Sequence, residues 1–91
     1  METMILESEI DGSDSFNGDC FISDVNQRMA GIGANVLKST TTGKGYHFEI
    51  GYDISEKPLI AVSIVNAFDD AVHRIKGAEI RAIRSEGIRF V

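Results

Sequence analysis

The segment Asp11–Asp19, with the sequence DGSDSFNGD, combines acidic, hydroxyl and amide side chains with two glycines, as calcium-binding loops do. An EF-hand loop requires the pattern D-x-[DN]-x-[DN]-G and a glutamate at its twelfth position. When this motif is aligned on Asn17-Gly18, its first position is Ser13 and its twelfth is Asp24, so the first carboxylate and the long terminal glutamate are missing. Asn-Gly is instead a strong signal for a two-residue hairpin turn. We therefore predict a turn without a metal, with an acidic protein-binding loop as the alternative.

The other residues of ligand or nucleophile type are too scattered to build a catalytic site. Cys20, His47 and His73 lack the paired spacing of zinc ligands. Gly43-Lys44-Gly45 lacks the preceding glycine and following hydroxyl of a P-loop, so a hairpin turn is predicted there. Cys20 lies in an apolar run and is predicted to be a small core residue, whereas His47 is predicted to be a surface residue. No catalytic residue, metal or cofactor is predicted, and we do not expect an enzyme.

The elements that would position these residues begin with a strand and a short helix. Met4–Ile10 is predicted to be the first strand, with a helical turn capped by Thr3 as the alternative. A short helix over 24–31 follows, since Ser23 is a suitable N-cap. Gly31 and Gly33 are predicted to end this helix, because glycine has a low helix propensity.

Further strands are predicted along the rest of the chain. Residues 34–40 and 46–53 are predicted to form a hairpin, because apolar residues occupy every second position of the latter segment. Leu59–Val65 is apolar at nearly every position, which is typical of a central strand buried on both faces. Ala78–Arg84 is the next predicted strand, and a final hairpin would continue into Ile88–Val91.

A second helix is predicted over Asn66–Gly77, where asparagine is a good N-cap and glycine a common C-terminal stop. Its apolar stripe at helical spacing consists of Phe68, Ala71, Val72 and Ile75. Two acids precede basic residues by four positions and are predicted to pair with them, Asp69 with His73 and Asp70 with Arg74.

The predicted order is β-α-β-β-β-α-β over one small domain, residues 1–91. This order indicates the α+β class, with two short helices on one face of a mostly antiparallel sheet of four to five strands, a variant of the ferredoxin-like plan. Gly31–Val36 runs from a helix into a strand and resembles the helix-to-strand turn of ACT-type amino-acid-binding modules. That resemblance implies a dimeric regulatory domain with a small ligand near these residues. The extra strand at 59–65 and the missing Asp-x-Pro-Gly turn after the first strand depart from the ACT pattern.

Composition indicates a globular protein of the cytoplasm. The 91 residues are 43% hydrophobic and carry a formal net charge of −5. One cysteine excludes an internal disulfide framework and suits a reducing compartment. The start METMILESEI lacks the basic region of a signal peptide, and the longest apolar run is far below the ~20 residues of a membrane span.

Charge is unevenly distributed along the chain. Seven acids and no lysine or arginine precede Val25, whereas bases outnumber acids from Ala71 onward. The asymmetry indicates either a charged partner or complementary faces within one fold. The acidic segment provides the predicted protein-binding residues Glu7, Glu9, Asp11, Asp14, Phe16 and Asp19.

By elimination, the sequence predicts a non-enzymatic protein-binding module. The specific expectation is a small acidic inhibitor or antagonist, of the phage anti-defence, immunity or antitoxin type, that blocks the working surface of a partner protein. That partner is expected to have a basic or nucleic-acid-binding surface. One alternative is the ACT-like domain, and homodimerisation through an unpaired edge strand such as Ile88–Val91 is also open. A second alternative is nucleic-acid binding, which the net negative charge opposes, by a basic patch of Arg74, Lys76, Arg81, Arg84 and Arg89.

Overall fold

The computed structural model describes residues 2–10, 18–41, 43, 45–75 and 78–86, with the backbone alone for Ile10 and Ala78–Glu86. Within these residues, the elements in chain order are β1 (Glu2–Ile10), α1 (Gly18–Gly31), β2 (Asn35–Thr41), β3 (Gly45–Tyr52), α2 (Ile60–His73) and β4 (Ala78–Glu86). The strands form one sheet in the order β2-β3-β1-β4, and each neighbouring pair is antiparallel. The predicted α+β class, with two helices and an antiparallel sheet, is confirmed.

One predicted element is wrong, because residues 60–65 form the first half of α2 and not a central strand. Ile60, Ile64 and Phe68 recur every four residues and are buried, so the helical period continues upstream of Asn66. Asn66 is therefore an interior residue of α2 and not its N-cap. The observed order is β-α-β-β-α-β, which is the split β-α-β plan.

The start of α1 also differs from the prediction. The helix begins at Gly18. Asp19 and Cys20 are therefore helical, and the prediction that they form the second strand of a hairpin turned at Asn17-Gly18 is wrong. Phe21, Val25 and Met29 lie on the buried face of α1, and this packing determines where the helix lies. Cys20, next to the inward-facing Phe21, is exposed, so the prediction of a core cysteine is wrong. Residues 11–17 lie outside the described residues.

The predicted first strand and the central hairpin are confirmed. β1 has Met4, Leu6 and Ser8 buried on one face, and it pairs with β3 on one side and β4 on the other. β2 and β3 pair antiparallel, with a register shift between Val36 and Lys38. Gly45 begins β3 at a point where a Cβ atom would collide with the backbone carbonyl oxygen of Ser8.

The core lies between the two helices and one face of the sheet. Its centre is an aromatic cluster in which Phe21 contacts Tyr46, Phe48 and Phe68, with ring centroids 5.4, 5.7 and 6.4 Å apart. The predicted apolar stripe of the second helix is buried at Phe68, Ala71 and Val72, and the partly buried Ile75 packs against it.

The end of α1 has the geometry of a Schellman motif. Gly33 has a φ of +82°, its N–H donates to the Ala30 carbonyl oxygen at 3.2 Å, and the N–H of Ala34 donates to the Met29 carbonyl oxygen at 2.9 Å. Ala34 and Met29 are both buried, which provides the apolar contact that accompanies this cap. The prediction that glycines end this helix is confirmed.

Gly33→Ala is expected to lower the free energy of unfolding by roughly 1–2 kcal/mol, because L-residues resist the left-handed region. Urea denaturation of the purified variant measures this loss. Gly31→Ala is the matched control, since a Cβ there meets nothing within 4 Å. Equal stability of wild type and Gly33→Ala would contradict the assigned cap.

Candidate protein-binding surface

The outward side of α2 carries a continuous row of exposed residues. The row follows the helical spacing of three and four residues, and all its members are exposed. We call it the outer stripe, and it consists of Leu59, Val62, Asn66, Asp70 and His73.

The N-terminal end of the outer stripe is apolar. Leu59 is 75% exposed and Val62 is 57% exposed, while Ile60 and Ile64 on the opposite side are buried in the core. The preceding turn adds Ile54, which is 44% exposed. A surface helix normally has one apolar face and one polar face. The first turns of α2 are apolar on both, which is the pattern of a helix covered from two sides.

A groove lies beside this apolar end, between the end of α1 and the start of α2. Its volume is about 450 Å3, and it is lined by Gly31, Ile32, Lys57, Pro58, Leu59, Ile60 and Ser63. The Nζ of Lys57 donates a hydrogen bond of 3.1 Å to the carbonyl oxygen of Ile32. This bond places a cation at the C-terminus of α1, where the helix macrodipole favours it. The groove thus combines apolar walls from Ile32, Leu59 and Ile60 with the polar side chains of Ser63 and Lys57.

The turn before α2 is held by hydrogen bonds to Asp53. Its Oδ1 accepts a hydrogen bond of 2.6 Å from the Ser55 hydroxyl and one of 2.9 Å from the Ser55 backbone N–H. These two bonds, the hydroxyl first, hold the pKa of Asp53 below its usual value. The backbone N–H of Ile60 then donates to the Lys57 carbonyl oxygen at 2.9 Å. The chain that carries Ile54 and Leu59 is therefore anchored at both ends.

The C-terminal end of the outer stripe carries charges of both signs, since it holds Asp70 and His73. Asp70 is exposed, and Asp69 beside it places Oδ1 3.2 Å from Nδ1 of His73, so this predicted pair is confirmed. Among the described ion pairs, Arg74 faces Asp24 of α1 with 3.9 Å between Nη1 and Oδ1, so the predicted pair with Asp70 is wrong. Nδ1 of His73 also donates to the Asp69 carbonyl oxygen at 2.8 Å. This bond, followed by the Asp69 charge, raises the pKa of His73 above 6.5.

An NMR titration is expected to show a His73 pKa above its ordinary value of 6.5. Since the pKa is raised in the folded state, the associated stabilisation is present in full below about pH 6.5 and is lost as the pH rises through the folded pKa. Asp69→Asn is expected to lower the His73 pKa only in part, because the backbone hydrogen bond persists. A His73 pKa at or below 6.5 in wild type would contradict this assignment.

The six residues predicted to bind a protein partner are here called the acidic patch, and they are Glu7, Glu9, Asp11, Asp14, Phe16 and Asp19. Its described members lie in two layers of the fold. Glu7 and Glu9 project from β1 on the face opposite Leu6 and Ser8, and Asp19 is exposed in the first turn of α1. Oε1 of Glu7 lies 3.1 Å from Nδ1 of His47 on the neighbouring strand. The remaining members, Asp11, Asp14 and Phe16, lie outside the described residues.

The predicted basic patch is described only in part. Arg74 is exposed just after α2, near Asp24. Arg81 and Arg84 lie in β4, of which the backbone is described, and Ile5 of β1 is the Cα partner of Arg84. Lys76, Arg89 and the predicted final strand at Ile88–Val91 lie outside the described residues.

The sheet face opposite the helices contains a partly buried histidine. Nε2 of His47 lies 3.7 Å from Oε1 of Glu49, and its Nδ1 faces Glu7. Within the part of the chain that the structure describes, no group of three histidine, cysteine or acidic residues could hold a metal ion. None of the described helices is long and apolar enough to cross a membrane.

Comparisons with known proteins find a solved structure that is distantly similar in fold. No protein-family model matches the sequence, and no curated protein matches it significantly. The crystal structure of a hypothetical protein from Methanocaldococcus jannascii is similar with 12% sequence identity and a TM-score of 0.48. The alignment covers 98% of this chain and 84% of that chain. A likeness of this degree carries no inference about function.

The residues that define the apolar end of the stripe were missed by the sequence reasoning. Leu59 and Val62 were assigned to a central strand, in which both would be buried. The signal that places them outside is the four-residue recurrence of Ile60, Ile64 and Phe68, which puts the core on the other side of a helix.

Proposed function

We propose that this protein is a non-enzymatic protein-binding module whose principal contact is the apolar end of the outer stripe. The observation that carries the proposal is the exposure of Leu59 and Val62 on a helix whose opposite side is already packed in the core. Exposed apolar residues that lie together beside a groove are characteristic of interaction sites. The proposal includes the inhibitor or antagonist role, of the phage anti-defence, immunity or antitoxin type, in which this surface covers the partner's working surface.

Two further observations support a binding surface at this position. The turn before α2 is anchored by Asp53 and by Lys57, so the apolar side chains are presented on a fixed backbone. Preorganised contacts lose less conformational entropy when a partner binds. The groove beside Leu59 also provides a recess for an apolar side chain of the partner.

Quantitative affinity capture from a lysate of the native host tests the proposal. Wild-type protein is compared with the double variant Leu59→Ser/Val62→Ser and with Leu37→Ser, which removes a similarly exposed apolar residue from β2. We expect a protein that is retained by wild type and by Leu37→Ser and is lost with the double variant. Retention by all three proteins would contradict the proposed contact. If the captured protein is lost when only Glu9 and Asp19 are substituted, the contact lies in the acidic patch and not at the apolar end of the outer stripe.

The groove also favours a second candidate function, the ACT-like small-molecule-binding domain. Its volume of about 450 Å3 lies in the range of ligand pockets, and it includes Gly31 and Ile32, which the resemblance places near a ligand. Because residues 60–65 are helical, they do not form the extra strand that departed from the ACT pattern. Thermal-shift screening with amino acids and nucleotides tests this candidate, since a ligand that binds the folded state raises the melting temperature. An unchanged melting temperature at millimolar ligand would exclude the ACT-like function.

A further inference from the structure

We propose that two copies of this chain pair antiparallel through the free edge of β2, which joins their two sheets into one. This edge is a surface separate from the outer stripe, and pairing through it does not depend on the proposed function. Three features of the edge lead to a second copy: its exposed backbone, its low charge and the registers that a two-fold axis allows.

β2 is an edge strand of the sheet. Among the described residues it pairs with β3 alone, and six of its seven residues are exposed. The N–H and C=O groups along its free side face solvent, and such a row is a template for another strand. The register shift between Val36 and Lys38 interrupts the ladder near the start of β2. The segment available for regular pairing is therefore Lys38–Thr41.

The free edge carries little of the charge that normally prevents edge strands from pairing. Native edge strands are protected by charged side chains, by proline or by a covering element. Charged residues make up 25% of the chain, but Lys38 is the one charged residue among the seven of β2, and the strand contains no proline. The exposure of Lys38–Thr41 shows that no other part of the chain covers them.

The side of α1 above this edge is also poor in charge. α1 lies against β2, whereas α2 lies against β4 on the other half of the sheet. Asp24 of α1 faces Arg74 beside α2, so the opposite side of α1 is directed towards the β2 edge. The residues on that side are Asp19, Ile22, Asn26 and Ala30. A low content of charged residues is typical of the core of an interface.

A two-fold axis perpendicular to the sheet determines which residues can be opposite each other. An axis beside Lys38 would place two lysines opposite each other, which is destabilising. An axis beside Ser39 pairs the two Ser39 residues and places Lys38 opposite Thr40 of the second copy. An axis beside Thr40 pairs the two Thr40 residues and places Ser39 opposite Thr41 of the second copy.

Both of the latter registers make β2 compatible with itself. They place hydroxyl side chains opposite each other, which stabilises neighbouring strands, and neither places two lysines opposite each other. Such self-compatibility is what an interface between identical copies requires, because each copy contributes the same patch. A second copy therefore fits the free edge of β2.

Pairing through β2 leaves the outer stripe accessible. α2 lies against β4, and β4 and β2 are at opposite edges of the sheet. The two-fold axis keeps the helices of both copies on one face of the joined sheet. The dimer therefore presents two outer stripes, and a partner with two sites would bind it more tightly than it binds one copy.

Sedimentation equilibrium of the full chain over a series of protein concentrations tests the proposal. Thr40→Lys is the disruptive variant, because it places two lysines opposite each other in either register. Thr40→Val is the uncharged control at the same position, and Asn66→Lys adds the same charge at an exposed position of α2. NMR of backbone amides at low and high concentration maps the contact in wild type.

We expect wild type to exchange between monomer and dimer, with amide shifts in β2 that depend on protein concentration. Thr40→Lys should raise the dimer Kd about three- to tenfold at low salt, and high salt should reduce this difference. Thr40→Val and Asn66→Lys should remain within about twofold of wild type. Wild type that is monomeric at every concentration would overturn the proposal. An equal Kd for folded Thr40→Lys, or amide shifts confined to other elements, would also overturn it.

Discussion

Phe68→Ala is expected to lower the free energy of unfolding by about 3–5 kcal/mol, which is the usual cost of truncating a buried aromatic residue. The Phe68 side chain is fully buried, and its ring lies 5.9 Å from Phe48 of β3 and 6.4 Å from Phe21 of α1. It therefore joins α2 to both the sheet and the other helix. Since a small domain is stable by only about 5–15 kcal/mol, this one change would remove a large part of the total. Urea denaturation followed by circular dichroism measures the loss.

Phe68→Leu is the matched control for this prediction. Leucine keeps most of the buried apolar volume, so its cost is expected to be well below that of alanine. The difference between the two variants reports the cavity and the lost contacts with Phe21 and Phe48. A Phe68→Ala variant as stable as wild type would show that α2 does not pack on the aromatic cluster.

The fold could be predicted wherever one face of an element is buried and the other is not. β3 alternates between inward residues such as Phe48 and Ile50 and outward residues such as His47, and this alternation is visible in the sequence. Leu59–Val65 has no such alternation, because apolar residues occupy both sides of the helix there. Length and composition then favour a strand, and only the contacts of Ile60 with the core resolve the ambiguity.

The start of α1 shows how tertiary packing overrides a local signal. Asn17-Gly18 predicted a hairpin from local turn preference. Gly18 instead begins a helix, because Phe21 and Val25 reach the core only when that segment is helical. Helix propensity and turn preference are weak compared with burial of apolar residues. A local motif of two residues could therefore not determine this boundary.

The candidate site was hidden from the sequence for the same reason. Its apolar residues, Leu59 and Val62, belong to the run that predicted a strand, so they were counted as core. Its acidic residues, Asp69 and Asp70, were visible only as members of predicted ion pairs, of which the pair of Asp69 with His73 is confirmed. Only the turn of α2 shows that all four lie towards one side, at opposite ends of a helix.

The two sides of α2 are expected to have separable roles. Leu59→Ser/Val62→Ser should change the free energy of unfolding by less than about 1 kcal/mol, since exposed positions tolerate substitution. This expectation contrasts with Phe68→Ala on the other side of the same helix. Urea denaturation curves of wild type, Leu59→Ser/Val62→Ser and Phe68→Ala, measured under the same conditions, provide the comparison. A loss of several kcal/mol in the double variant would show that Leu59 and Val62 belong to the core.

The same double substitution is expected to reduce affinity for the captured partner by more than about tenfold. Full burial of a valine or leucine side chain contributes about 1.5–3 kcal/mol. Binding can bury only the exposed 75% of Leu59 and 57% of Val62, so the two together give at least about 2 kcal/mol. Because about 1.4 kcal/mol corresponds to a tenfold change, the loss should exceed one decade. Isothermal titration calorimetry measures it against Leu37→Ser, which should bind as wild type does. An unchanged Kd for the double variant, with its fold intact, would exclude the apolar end of α2 as the contact.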